Sequence, residues 1–272
     1  MAIDNFIPEI WAAGVTQSFI ANQVVIPTLN NAFTGDVTRG NKVHIINATT
    51  PTIVDYSATR TISAEALNDT EVLLEIDQEK AFSVNVDDVD RVQASSEFAP
   101  WVDSAGRALA EDAEDYLLTT MLAGATEANT GDVEIDTAAE AKESIRSLRK
   151  AMANAKVPAS GRYVVVNPDM ADLLIQGLDD ASVAGTDAEL RNGVIGRLYG
   201  FTVVESPLLE SAGTPAAMSY HESMVGFVNQ IQSLESLRNP TKFADIVRGL
   251  NVYGAKVIKA DAVYKYVSAA AS

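Results

Sequence analysis

Residues 97–124 read EFAPWVDSAGRALAEDAEDYLLTTMLAG, and the periodicity of this stretch sets how the rest of the chain is read. Val102, Ala105, Leu109, Asp112 or Ala113, Tyr116 and Thr120 follow one another at spacings of three and four. Trp101, Leu117 and Met121 widen the stripe, which gives a helix one apolar side. Gly124 supplies a C-terminal stop, since glycine tolerates the left-handed backbone that ends many helices. At 1.5 Å per residue the helix spans roughly 40 Å, long for one globular core. Glu111, Asp112, Glu114 and Asp115 face different directions around it and read as a solvated flank, not a catalytic pair.

Toward the N-terminus the pattern changes to strands. Phe82, Val84 and Val86 alternate with polar residues until Asp87-Asp88-Val89-Asp90 stops them. Before them, Val72, Leu74 and Ile76 share one face, opposite Glu71, Glu75 and Asp77. Earlier still, Gly40-Asn41 opens a strand in which Val43 and Ile45 alternate with Lys42 and His44. Asn47 to Asn68 between them are rich in Thr, Ser, Asn and Ala, with Pro51 and few bulky residues. A structureless loop that long is rare inside a compact domain, so the two strands predict a long hairpin projecting from the body. Residues 1–35 carry Phe6, Ile7, Ile10, Trp11, Val15 and Phe19, with Ile7, Trp11 and Val15 four apart. Pro27 interrupts this stripe and Asn30-Asn31 with Gly35 ends it. Its apolar surface must dock, on the chain's own core or on a neighbouring subunit.

Toward the C-terminus, helices and strands alternate. Ala138 to Ala155 is helical, with Ile145, Leu148 and Met152 on one face, and Val157-Pro158 ends it. Tyr163 to Val166 is a short continuous apolar run, as in a strand buried on both faces. Asn167-Pro168-Asp169 reads as helix N-cap, first helical position and first-turn acid. Residues 177–188 read as a loop. Gly193, Gly196 and Gly200 read as tight turns leading into a strand from Phe201 to Glu205 and the turn Ser206-Pro207. Residues 216–267 are β-rich, with strands expected at Met224–Val228, Val247–Tyr253 and Val257–Val267. The Ala269-Ala270-Ala271-Ser272 tail is expected to fray.

Composition excludes several functions. The 272 residues carry 37 acidic against 20 basic side chains, a net charge of −17. Binding to nucleic acid through a basic face needs clustered Lys and Arg, so only weak, non-specific contact with DNA is expected. The charge is uneven: residues 65–115 hold fifteen acidic and three basic side chains, while residues 243–272 hold two acidic and four basic. There is no cysteine, so disulfides and thiolate chemistry are absent. No apolar run reaches the roughly 18 residues of a membrane span, and the start lacks signal-peptide features, so folding in a cytoplasm is expected.

The search for chemistry comes back empty. The two histidines, His44 and His221, have no Gly-x-Ser-x-Gly elbow to serve, and surface or interface hydrogen bonding is expected of them. Gly193, Gly196 and Gly200 precede a strand and lack the dinucleotide-binding spacing. Asp87, Asp88 and Asp90 lack the register of a calcium loop and read as a solvated turn. No catalytic residue, cofactor or metal is assigned.

The ordered set of elements resembles the tailed-bacteriophage major capsid proteins of the Hong Kong 97-type fold. Asn192-Gly193-Val194-Ile195-Gly196-Arg197-Leu198-Tyr199-Gly200-Phe201-Thr202-Val203 is similar to a segment common in that family. So are Tyr163 to Asp169 and Phe243 to Gly254. The resemblance covers essentially the whole chain. It implies an α+β fold with an N-arm (1–35), an extended E-loop hairpin (36–80), a P-domain (81–130 and 226–272, with a spine helix at about 97–124) and an α/β A-domain (131–225). It implies self-assembly through hexamers and pentamers into an icosahedral shell around double-stranded viral DNA, in a virion assembled in a bacterial host's cytoplasm. Further partners it implies are a separate scaffolding protein, a portal and a possible decoration protein. Assembly contacts are expected at Trp11, Phe19, Thr52, Arg60 and Asn68. Some family members crosslink an E-loop lysine, but no lysine lies between Asn47 and Glu79, so no crosslink from the loop tip is expected. An encapsulin-type nanocompartment shell protein is the alternative reading. An α/β enzyme or binding domain with an unrecognised site is a further one.

Overall fold

The computed structural model describes residues 17, 23–29, 42–48, 53, 60, 69–87, 99–128, 133–179, 194–209 and 214–268. Among them, β1 (Lys42–Ala48) and β2 (Asp69–Glu75) pair antiparallel, Lys42 opposite Glu75 and Ala48 opposite Asp69. The chain passes through β3 (Gln78–Asp87) into α1 (Ala99–Gly124) and the short β4 (Thr126–Glu127). An alternating region follows: α2 (Ala138–Asn154), β5 (Arg162–Val166), α3 (Pro168–Asp179), β6 (Val194–Leu198) and β7 (Phe201–Glu205). The last part is β8 (Ala216–His221), β9 (Val225–Arg238), β10 (Ala244–Val257) and β11 (Val263–Val267).

The strands form three sheets among the described residues: β1-β2, β3-β10-β9, and a six-stranded mixed sheet ordered β4-β11-β8-β5-β7-β6. Strand periodicity explains how the six-stranded sheet builds two cores, because alternate residues leave by opposite faces. Val164 and Val166, Phe201 and Val203, Ala217 and Tyr266 pack on one face against Ile145, Leu148 and Met152 of α2 and Met170 and Leu174 of α3. Val165, Val204, Met218, Tyr220 and Val263 leave by the other face, toward Leu117, Leu118 and Met121 of α1 and Phe227 and Tyr253 of the three-stranded sheet. Val164–Val166 are therefore buried on both faces, as the unbroken hydrophobicity of the run predicts, with Tyr163 half-buried at its start.

Caps place the helices. Thr137 opens α2 with a reciprocal capping box to Glu140. The Asn167 Oδ1 accepts the Met170 N–H at 3.1 Å and caps α3, as expected from Asn167-Pro168-Asp169.

Several expectations need correction. The buried stripe of α1 is Leu109, Ala110, Ala113, Glu114, Leu117, Leu118 and Met121, while Asp112, Tyr116 and Thr120 are only half-buried. Ala110 and Ala113 carry little hydrophobic weight in the sequence, yet small side chains are what let two layers close over one helix. Glu114 is buried, at 2% exposure, and does not belong to a solvated flank. Gly124 ends α1 without a positive φ; a Cβ there would lie 2.9 Å from Val257 Cγ2, so close packing is its role. Residues 177–179 continue α3, and the rest of the expected 177–188 loop lies outside the described residues. The stretch before Phe201 contains the strand β6, joined to β7 through Tyr199 (φ 49°) and Gly200 (φ 89°). Two consecutive positive φ values suit the tight hairpin turn that glycine favours. β9 and β10 are each 14 residues long, well beyond the expected segments. β11 pairs with β8 and β4, so it lies in the sheet of the α/β region.

Candidate assembly surfaces

Among the described residues, the hairpin β1–β2 is anchored through its base. Val43, Ile45, Leu74 and Ile76 form its inner face and pack with Val228, Val252 and Ile258. Gly254 permits this contact, since a Cβ on it would meet the Glu75 carbonyl oxygen at 2.2 Å. The outer face is polar, as its alternation predicts. Lys42 Nζ lies 2.7 Å from Glu75 Oε1, and His44 contacts Glu71 across the strands. These pairs are solvent-exposed and contribute little stability.

Beyond the strands, Ile53 is 95% exposed and Arg60 is exposed at a φ of 52°. Ile53 is an apolar side chain with no cover on its own chain. Among the expected contact residues, the structure describes Arg60; Trp11, Phe19, Thr52 and Asn68 lie outside the described residues.

A second exposed surface was not anticipated. The β9–β10 ribbon turns at residues 239–243, where Asn239 Oδ1 accepts from the Thr241 N–H at 2.9 Å and the Thr241 hydroxyl at 2.8 Å. Phe243 beside this turn is 81% exposed and Leu237 is 43% exposed. Asn239-Pro240 is a turn signal legible in the sequence, but nothing in the pattern marks Phe243 as uncovered.

Residues 23–29 lie on α1. Val25, Ile26 and Leu29 are buried in the main core. Glu114 Oε1 accepts the Val24 N–H at 2.9 Å and also the Val25 N–H. Burial pushes its carboxyl above the ordinary range, against the lowering effect of the Val25, Val24 and Ile26 N–H groups. Sequence reasoning missed this residue because a lone acid among acids carries no signal of burial.

The candidate chemistry does not converge. His221 is buried, not on the surface; its Nδ1 accepts the Ser223 N–H at 3.3 Å and lies 2.9 Å from the Ser223 hydroxyl. Asp112 accepts a hydrogen bond from the Tyr253 hydroxyl and lies 3.4 Å from Lys80 Nζ. Glu111 and Asp115 are exposed. Asp87 ends β3, while Asp88 and Asp90 lie outside the described residues. Among the described residues no three His, Asp or Glu side chains cluster as metal ligands. No helix of the described residues is long and apolar enough to cross a membrane.

Comparison with known proteins places this geometry. Residues 69–266 match the model of a phage capsid protein family. A solved chain from Mycobacterium phage Che8 shares 37% identity at a TM-score of 0.77, over 89% of this chain and 90% of that one. The capsid structure of cyanophage P-SCSP1u matches at 16% identity and a TM-score of 0.68, over 86% and 85% of the two chains. A virus-like particle from Pyrococcus furiosus matches at 10% identity and a TM-score of 0.60, over 93% and 96%. The last two likenesses are ones of fold alone. No curated protein matches the chain.

Proposed function

Because the chain belongs to the phage capsid protein family and has the α+β fold of the Hong Kong 97-type major capsid proteins, we propose that it tiles an icosahedral shell through hexamers and pentamers and encloses double-stranded viral DNA. The observation that carries this reading is the hairpin, with its base packed on the body and Ile53 uncovered beyond it. A monomer gains nothing by extending such an element. In a shell it lies across a neighbour and is buried on assembly.

The division of labour we propose runs by position along the chain. Residues 1–35 act as an arm and 36–80 as the extended loop. Residues 81–130 and 226–272 form the peripheral domain and 131–225 the axial domain. Trp11 and Phe19 anchor the arm on a neighbour, while Thr52, Arg60 and Asn68 make loop contacts. Many modest interfaces then act multivalently. The net charge of −17 keeps packaged DNA loosely held. A separate scaffolding protein and a portal complete assembly.

An encapsulin-type shell is the second reading. Its support is the likeness to the Pyrococcus furiosus particle, which at 10% identity is one of fold alone. The 37% identity to the Che8 phage chain favours the viral reading. Replacing residues 49–68 by a two-residue turn tests the role of the hairpin. The expected result is a folded subunit that no longer forms shells; normal shells from that variant would contradict it.

A further inference from the structure

Among the described residues, Glu114 is the one carboxylate buried in the main core. It faces the start of the short 3-10 helix Ile26–Thr28, whose N-cap residue Val25 has no side-chain cap. Helix starts leave N–H groups without partners, and Val25 is fully buried, so water cannot supply the missing acceptor. Glu114 supplies it. The Val24 and Val25 N–H groups bond to Oε1, and the Ile26 N–H also acts on the carboxyl group. A second tie lies four residues on, where the Thr28 hydroxyl contacts the Tyr220 hydroxyl.

Among the described residues, no opposite charge acts on Glu114. Residues 23–29 contain no titratable side chain. From β8 it faces Tyr220, behind which Tyr163 of β5 stacks at 5.8 Å. Tyr253 of β10 is engaged with Asp112 instead, and Lys265 of β11 pairs with Glu127. On α1 itself Arg107, Glu111 and Asp115 are exposed. A carboxylate here is held by N–H dipoles alone, away from water, and ionising it costs desolvation that it escapes once residues 23–29 lift off.

We propose that Glu114 is a proton-controlled clasp that fixes residues 23–29 to the long helix and grips most tightly when it has taken up a proton. The docked carboxyl titrates above an ordinary one, so docking takes up a proton. Docking is then strongest below the ordinary carboxylate range and weakens as the pH rises through the raised value, by at most about tenfold per pH unit for one proton. The clasp acts within one chain and does not depend on the assembly reading above.

Hydrogen exchange of the Val24 and Val25 amides, corrected for intrinsic rates, tests this on the full chain between about pH 4 and pH 9. Protection in the unaltered protein is expected to fall as the pH rises. Glu114→Gln keeps the acceptor without the charge, so its protection is expected to be high and independent of pH. Thr28→Val, which cuts the Tyr220 tie and the hydroxyl's own bond to the Val25 carbonyl but leaves Glu114 in place, is expected to lower protection at every pH and keep the pH dependence. Protection that is flat or rises with pH in the unaltered protein overturns the proposal. So does a pH dependence that survives in Glu114→Gln.

Discussion

The side-chain oxygen of Asn167 holds the backbone N–H of Ala216 at 2.9 Å while capping α3 through Met170. The Asn167 amide also donates to the Thr214 carbonyl at 2.8 Å. One buried asparagine thus sets where α3 begins and where β8 enters the six-stranded sheet. Asn167→Ala leaves buried groups without partners and is expected to cost about 2–3 kcal/mol in chemical denaturation. Asn167→Asp keeps the acceptor and loses the donor to Thr214, so it is expected to cost less. Equal losses from both would contradict this division.

Buried phenols set the alkaline limit. Burial pushes the hydroxyls of Tyr220 and Tyr253 well above their ordinary value, with Asp112 adding to the effect at Tyr253. Both rings stay neutral in the fold and ionise normally when unfolded. Their contribution is therefore full below about pH 10 and is lost as the pH rises above it. Tyr220→Phe is expected to flatten the fall in stability between about pH 9 and pH 11, read by urea midpoints. An unchanged slope would count against it.

Asn251 is fully buried, and neither polar atom of its side chain has a protein partner. It lies at the bulge where β10 slips against β9. Unpaired buried amides are costly, and an apolar residue of similar volume removes the cost. Asn251→Leu is expected to keep or raise the melting temperature. A large drop would indicate that the amide bonds to bound water.

Lys156 follows α2 at a φ of 58°, a conformation that suits glycine. Lys156→Gly is expected to stabilise the protein by about 0.5–1 kcal/mol in thermal or urea unfolding. A loss of that size would mean that the lysine side chain has a role beyond the turn.

How much of this was legible in sequence depends on what each signal encodes. Strand faces such as Val43 with Ile45 and Leu74 with Ile76 came through, because alternation records burial directly. The cap at Asn167 came through because asparagine, proline and an acid in that order serve few other purposes. The buried arc of α1 came through in part: Leu109, Ala113, Leu117 and Met121 stand in the expected stripe, while Ala110, which weighs little in a hydrophobic pattern, and Leu118 do not. Glu114 was read with its acidic neighbours, because its partners are backbone N–H groups ninety residues away in sequence, and no pattern of side chains records those. The exposed Phe243 was hidden for the opposite reason: a phenylalanine reads as core wherever it stands.

The central claim is that this subunit builds a shell. Negative-stain microscopy of the full-length expressed protein, alone and with a candidate scaffolding protein, tests it most directly. Closed particles or hexameric and pentameric rings are the predicted result. A protein that stays a 29.0 kDa monomer under both conditions would contradict the account.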